Sequence, residues 1–105
     1  MKSGDISAIL NPDRFTKARA EHKSWVTKIP GMLEGKFPVE IIVDTAYVVD
    51  CRRFETGIKA YGWKIPERYD TEEAAGKGHR KWVKRIKKNS DLAVSGEIDK
   101  YGEDY

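Results

Sequence analysis

Cys51 and His79 are the residues whose types could support covalent chemistry: a thiolate nucleophile and an imidazole to take its proton. Cys51 closes a β-rich run and His79 lies on an apolar helical face, so sheet and helix could bring them together. Each has a plainer reading as well. A small half-apolar residue is common at a strand end, and an imidazole on an apolar face is usually packed and hydrogen-bonded. The plainer readings rank first, so no catalytic residue is assigned and the chain is read as a non-enzyme. His22 and His79 are the two histidines, and neither HxxxH nor CxxC spacing occurs, so no metal site is expected. The glycines of AYGW and AGKG do not make the GxxxxGK[ST] phosphate loop, and no cofactor is expected. Glu72 and Glu73 open a helix, where carboxylates favour the positive end of the dipole.

The other chemistry available is electrostatic. Lys77, Arg80, Lys81, Lys84, Arg85, Lys87 and Lys88 place seven cations on twelve residues of one helix. Such a surface can lie on a phosphate backbone or meet an acidic partner. It can equally be a solvated face whose cations favour the negative helix end, and that reading ranks first. No helix-turn-helix, zinc-finger or RNA-recognition signature accompanies it. Tyr61, Trp63 and Tyr69 could stack on single-stranded bases, although cross-strand packing is their commoner use.

The elements that must position these residues can be read from turn chemistry and period. Asn11, Pro12 and Asp13 form a helix start. Phe15, Ala18, His22, Trp25, Val26 and Ile29 then fall on one 3.6-period face, and Pro30-Gly31 closes it. A helix is therefore predicted over 12–29, preceded by an arm at 1–10 and followed by a loop at 31–36. FPVEIIVDTAYVVDC changes to a two-residue, β-branched period, read as one long strand bent near Asp44-Thr45. Arg53 to Ala60 reads as a strand, and Tyr61-Gly62 as a turn in which Gly62 can take positive φ. Trp63 to Tyr69 reads as a return strand with Trp63, Ile65, Glu67 and Tyr69 on one side. Pro66 places that strand at an edge or a bulge. Asp70 or Thr71 caps a second helix, whose inner face carries Ala75, His79, Val83 and Ile86, with Ala74, Gly78 and Trp82 beside them. Asn89-Ser90 ends it.

Composition sets the outer limits. The chain has 105 residues, 39% of them apolar, including three Trp, five Tyr and three Phe, which suits one modest core rather than disorder. No apolar run approaches the length of about 20 residues that spans a bilayer, and the first residues do not resemble a secretory signal. One cysteine cannot form an internal disulfide, and a reducing compartment is the default. Residues 1–88 hold 19 Lys/Arg and 12 Asp/Glu, a net +7, whereas residues 89–105 hold one Lys and five Asp/Glu, a net −4. The domain is therefore expected at 1–88, with 89–105 as an acidic tail that is flexible or docks on another subunit.

Glu55, Thr56, Trp63, Tyr69, Thr71, Ala75, Gly78 and His79 form a further pattern. A Glu-Thr strand, a Trp, and Tyr-x-Thr-x-x-x-Ala-x-x-Gly-His entering a helix resemble a pattern common in small uncharacterised proteins of tailed bacteriophages. The match covers about a third of the chain. The resemblance implies a phage source and a gene near virion genes, and it brings no catalytic residues. Read physically, the pattern is a fold signature, with Ala75 and Gly78 bringing the helix onto the sheet and His79 bonding a strand carbonyl beneath.

The expected fold is α+β: an N-terminal helix, a three-stranded antiparallel meander, and a C-terminal helix packed on the sheet. The expected role is a non-enzymatic structural or assembly component of a virion, such as a minor capsid, connector or tail protein. Its partners would be other phage proteins or further copies of itself, with no membrane and no small-molecule substrate. The alternative is an early phage protein that binds nucleic acid or a host protein through the seven cations of the C-terminal helix. The virion or the host cytoplasm is the expected location.

Overall fold

The structure, a computed structural model, describes residues 21–102. Four strands follow in order, β1 (Trp25–Leu33), β2 (Phe37–Val48), β3 (Arg53–Lys59) and β4 (Trp63–Tyr69). They are followed by helix α1 (Glu72–Lys88) and two 3-10 turns, η1 (Ser90–Val94) and η2 (Gly96–Ile98). The strands form one antiparallel sheet in the order β1-β2-β3-β4, and α1 contacts all four on one face.

The sheet thus has four strands rather than the expected three. Trp25 to Ile29, predicted to finish an N-terminal helix, belongs instead to edge strand β1. Its partners run in register from Trp25↔Thr45 to Leu33↔Phe37. The predicted beginning of that helix, at Asn11-Pro12, and the arm at 1–10 lie outside the described residues. Trp25, Val26 and Ile29 fit a helical face, but Thr27, Ile29, Gly31 and Leu33 also alternate with exposed Val26, Lys28, Pro30 and Met32. Pairing with β2 decides for the second period. Pro30 and Gly31, read as a helix stop, lie within the strand, because an edge strand leaves some backbone N–H groups unpaired and so tolerates proline.

The β1–β2 turn is built by Glu34 (φ 53°) and Gly35 (φ 72°), with Lys36 N–H donating to the Leu33 carbonyl at 3.0 Å. Positive φ at both central residues matches the right-handed twist of the flanking strands. Gly62 does not take positive φ; among the described glycines only Gly35 does. β2 is the single long strand expected, and its pairing on both sides runs through Asp44-Thr45 without a register shift.

β4 carries a bulge. Thr56 pairs with Glu67 and Ile58 with Lys64, so one residue of β3 faces Ile65 and Pro66 together. Pro66 therefore sits both at a sheet edge and in a bulge, where its missing N–H is tolerated. The extra residue swaps faces. Glu67 and Tyr69 point toward α1, while Trp63 and Ile65 lie on the far face against Gly57. The single-sided β4 expected from alternation is therefore divided in two.

Thr71 caps α1, its hydroxyl accepting from Ala74 N–H at 3.1 Å, while Asp70 instead pairs with Arg53 at 3.0 Å. Asn89 is the C-cap. The buried helix residues are Ala75, Gly76, Gly78, His79, Trp82 and Ile86; Val83 is only half-buried. Trp82 and Ile86 meet Ile29, Ile41, Val43 and Ile58 in the main core. Burying each aliphatic side chain contributes about 1.5–3 kcal/mol. A smaller cluster of Phe54, Tyr69 and Ala75 lies toward the helix N-terminus, flanked by Trp25 and Tyr47.

The described part of the acidic segment, residues 89–102, does not hang free. Ala93 and Ile98 complete the main core. Asp91 accepts from Glu34 N–H at 2.8 Å, Asp99 accepts from Ile65 N–H at 2.7 Å, and Tyr101 N–H donates to the Ile65 carbonyl at 2.9 Å. Asp91 and Asp99 thus cap backbone groups of the same chain, and the folded unit extends past residue 88.

Candidate functional site

Beneath α1 a line of polar side chains crosses the sheet from β1 to β4. Thr27 Oγ1 lies 2.8 Å from His79 Nε2, and His79 Nδ1 lies 2.8 Å from Thr45 Oγ1. Thr45 and Thr56 hydroxyls are 2.6 Å apart, Thr56 lies 2.9 Å from the Tyr69 hydroxyl, and Tyr69 donates to Glu67 Oε1 at 3.1 Å. The carboxylate at the end sets every proton. Glu67, ionised, can only accept, so Tyr69 gives it the one phenolic proton. Thr56 must then donate to Tyr69, Thr45 to Thr56, and His79 Nδ1–H to Thr45. Nε2 is left as the acceptor for Thr27. The connectivity fixes Nδ1–H, and burial, which disfavours the charged ring, makes the imidazole neutral with Nε2 as the acceptor.

The electrostatics agree with that assignment. Burial holds the His79 imidazole below its ordinary pKa; the Asp44 charge opposes this and the Arg80 charge adds to it. Burial alone would raise Glu67, but hydrogen bonds from Lys81 (2.6 Å) and Trp82 Nε1 (2.9 Å), the Lys81 charge and the Tyr69 hydroxyl outweigh it. The carboxyl is held below its usual range. Burial pushes the Tyr69 phenol well above its ordinary value, with the Glu67 charge adding to the shift and the Thr56 hydrogen bond opposing it. Gly78 makes this packing possible, since a Cβ there would overlap the Tyr69 ring and hydroxyl.

Of the motif residues, Thr56, Tyr69, Gly78 and His79 are brought together beneath α1 as structure, Thr71 caps the helix, and Glu55 and Trp63 lie on the far face. His79 bonds strand hydroxyls rather than the carbonyl expected. Sequence reasoning missed Thr27, Thr45 and Glu67. Thr45, on the β-branched alternation of the long strand, was the available signal; Thr27 fell in a predicted helix, and the inward turn of Glu67 depends on the bulge.

Cys51 lies apart from this chain of bonds. Its thiol is 3.7 Å from the Val48 carbonyl, 3.8 Å from the Arg53 carbonyl and 3.9 Å from Glu55 Oε2. His79, engaged on both nitrogens by threonines, is not poised to activate it. Glu55 pairs with Arg68 at 2.7 Å on the sheet face away from α1, both side chains being almost fully buried. His22 stacks on Tyr47 with ring centroids 4.0 Å apart. Among the described residues, no group of three or more His, Cys, Asp or Glu could hold a metal ion. The aromatic trio is dispersed: Tyr69 is buried under α1, Trp63 lies on the far face with Lys59 over its ring, and Tyr61 is exposed beside the β3–β4 turn.

The seven cations of α1 are divided between two flanks. Toward β4, Lys81 binds Glu67, Arg85 stacks on Trp82 at 4.3 Å from the ring centroid, and Lys77 lies 3.9 Å from Glu73. Helical spacing places Lys88 on the same stripe. Toward β1, Arg80, Lys84 and Lys87 join Thr27, His79 and Val83 around an open groove of about 300 Å³. No protein-family model, curated protein or solved structure matches the chain.

Proposed function

We propose that this chain is a small non-enzymatic protein of a tailed phage, acting by docking as a structural or assembly component of the virion. The observation that carries the non-enzymatic part is the engagement of the motif's polar side chains within the fold. His79, Thr56 and Tyr69 of the motif form one hydrogen-bonded chain with Thr45 and Glu67, and Glu55 is paired with Arg68. What the chain offers is surface. Val26, Met32 and Trp63, all about half exposed on the sheet face away from α1, supply apolar area for a neighbouring phage protein or a second copy. The phage and virion assignments rest on the Glu-Thr … Trp … Tyr-x-Thr-x-x-x-Ala-x-x-Gly-His resemblance. No helix among the described residues is long and apolar enough to cross a membrane, and the proposed location is the virion or the host cytoplasm.

Mass spectrometry of gradient-purified particles tests this reading directly. The protein should be present at a fixed ratio to the major capsid or tail protein. Its absence from particles, with the protein abundant in the infected cell, removes the virion role. Retained biological activity in a folded Cys51→Ser/His79→Ala variant is expected; loss of a turnover activity in that variant would restore an enzymatic reading.

A further inference from the structure

We infer that the groove between α1 and β1 binds the phosphate backbone of nucleic acid. Arg80, Lys84 and Lys87 stand at i, i+4 and i+7, one stripe about 10 Å long at the α-helical rise. All three are exposed, and among the described residues none is in an ion pair. The adjacent stripe differs, since Lys81 and Arg85 are held by Glu67 and Trp82. A favourable helix dipole does not explain the groove stripe, because that effect is confined to the last turn. It accounts for Lys87 and leaves out Arg80 and Lys84.

The groove is bounded on its other side by Thr27 of the edge strand β1, so the cations border a concave surface rather than a bare helix face. Thr27 and His79 form its inner side, with the Thr27 proton already committed to His79 Nε2. Val83 is the apolar member. Three cations in a row beside a wall suit a linear polyanion. Arg80, Lys84 and Lys87 form one linear row of charge, which matches the spacing of a phosphate backbone, so the contacts inferred are to phosphate. This surface is separate from the apolar sheet face invoked for assembly, so either assignment can fail alone.

The test is fluorescence anisotropy of the full chain with a labelled duplex and a labelled single strand at several salt concentrations. Three neutralised phosphates predict a slope of log affinity against log salt of about −2.7 on duplex and about −2 on single strands. Arg80→Gln/Lys84→Gln/Lys87→Gln should lower affinity at least about tenfold at low salt and flatten the slope, whereas Lys84→Gln alone should reduce the slope by about 1. Lys59→Gln/Lys64→Gln/Lys100→Gln removes the same charge elsewhere and should change affinity far less. Circular dichroism of each variant reports the fold. Equal weakening by the two triple variants overturns the groove assignment, as does a slope unchanged by Lys84→Gln. Absence of binding by the unaltered chain at low salt overturns it too. Binding of poly-glutamate through the same residues, as tight as DNA, would replace nucleic acid by an acidic protein partner and overturn the inference.

Discussion

Two glycines two residues apart on one helix, Gly76 and Gly78, should respond oppositely to alanine. Gly76 and Gly78 both lie within α1, where replacing glycine by alanine stabilises by about 1 kcal/mol if nothing else changes. At Gly76 the new methyl would meet Trp25 Cζ2 at 3.1 Å, and half-buried Trp25 can yield a few tenths of an ångström. Gly76→Ala is therefore expected to be neutral or stabilising by up to about 1 kcal/mol. At Gly78 the methyl would occupy the place of the Tyr69 ring edge and hydroxyl, backed by a sheet that cannot retreat. Tyr69, 6% exposed, must then be displaced. That loses about 2 kcal/mol of burial and two hydrogen bonds of about 1 kcal/mol each, to Thr56 and Glu67. Set against the helix gain, the net destabilisation is about 3 kcal/mol, or a fall in Tm of at least about 12 °C for a domain of this size.

Urea titration of Gly76→Ala, Gly78→Ala, Tyr69→Leu and Gly78→Ala/Tyr69→Leu measures the effect and assigns its cause. Leucine lacks the ring atoms that the Gly78 methyl would strike, so Gly78→Ala should become stabilising in that background, a coupling of about 4 kcal/mol between the two sites. If Gly78→Ala matched Gly76→Ala in the unaltered chain, or showed no coupling to Tyr69, the reasoning that Gly78 exists to admit Tyr69 would be wrong.

Three further outcomes are expected. Stability should hold a plateau across neutral and mildly alkaline pH and fall on both sides. Below the ordinary histidine value of 6.5 the unfolded chain takes up a proton that His79 in the fold resists, and at lower pH the Glu67 contribution is lost as its depressed carboxyl protonates. Above the ordinary tyrosine value of 10.0 the unfolded chain ionises while Tyr69 in the fold does not. Denaturation midpoints across pH check this, and His79→Phe should remove the loss that begins near 6.5. A chain ended at Asn89 forfeits burial of Ile98 and Ala93, worth about 3 kcal/mol, so thermal melting should reveal a large loss where a free tail would leave Tm unchanged. Arg68→Met removes the 2.7 Å charge-assisted hydrogen bond to the buried Glu55 carboxylate and should cost about 2 kcal/mol in urea denaturation. Adding Glu55→Gln should recover part of that loss.

Some of this protein was legible because it depends on neighbours in the chain. The cap at Thr71, the end at Asn89, the small residues of the α1 inner face and the long β2 run all follow from local turn chemistry or from period. The β3–β4 hairpin and the irregularity at Pro66 follow in the same way, since proline removes a donor wherever it falls. The candidate groove was half legible: sequence supplies seven cations on one helix but cannot say which are already held.

What tertiary structure alone decided is whatever needs a distant partner. Trp25 to Ile29 satisfy a helical and an extended period at once, and only register with β2 selects the strand. The bulge at Ile65-Pro66 turns Glu67 toward the helix and Trp63 away, a change of one residue that alternation cannot reveal because it reverses every side chain beyond it. Once Glu67 faces inward it holds Lys81 and orients the hydroxyls back to His79. Arg80, Lys84 and Lys87 are thereby left as the cations beside β1. The acidic segment looks like a solvated tail by composition, yet Ala93 and Ile98 find a core there and Asp91 and Asp99 find backbone donors. Residue types set the available charges and apolar surfaces; the long-range pairing of the sheet determined which of them remained outside.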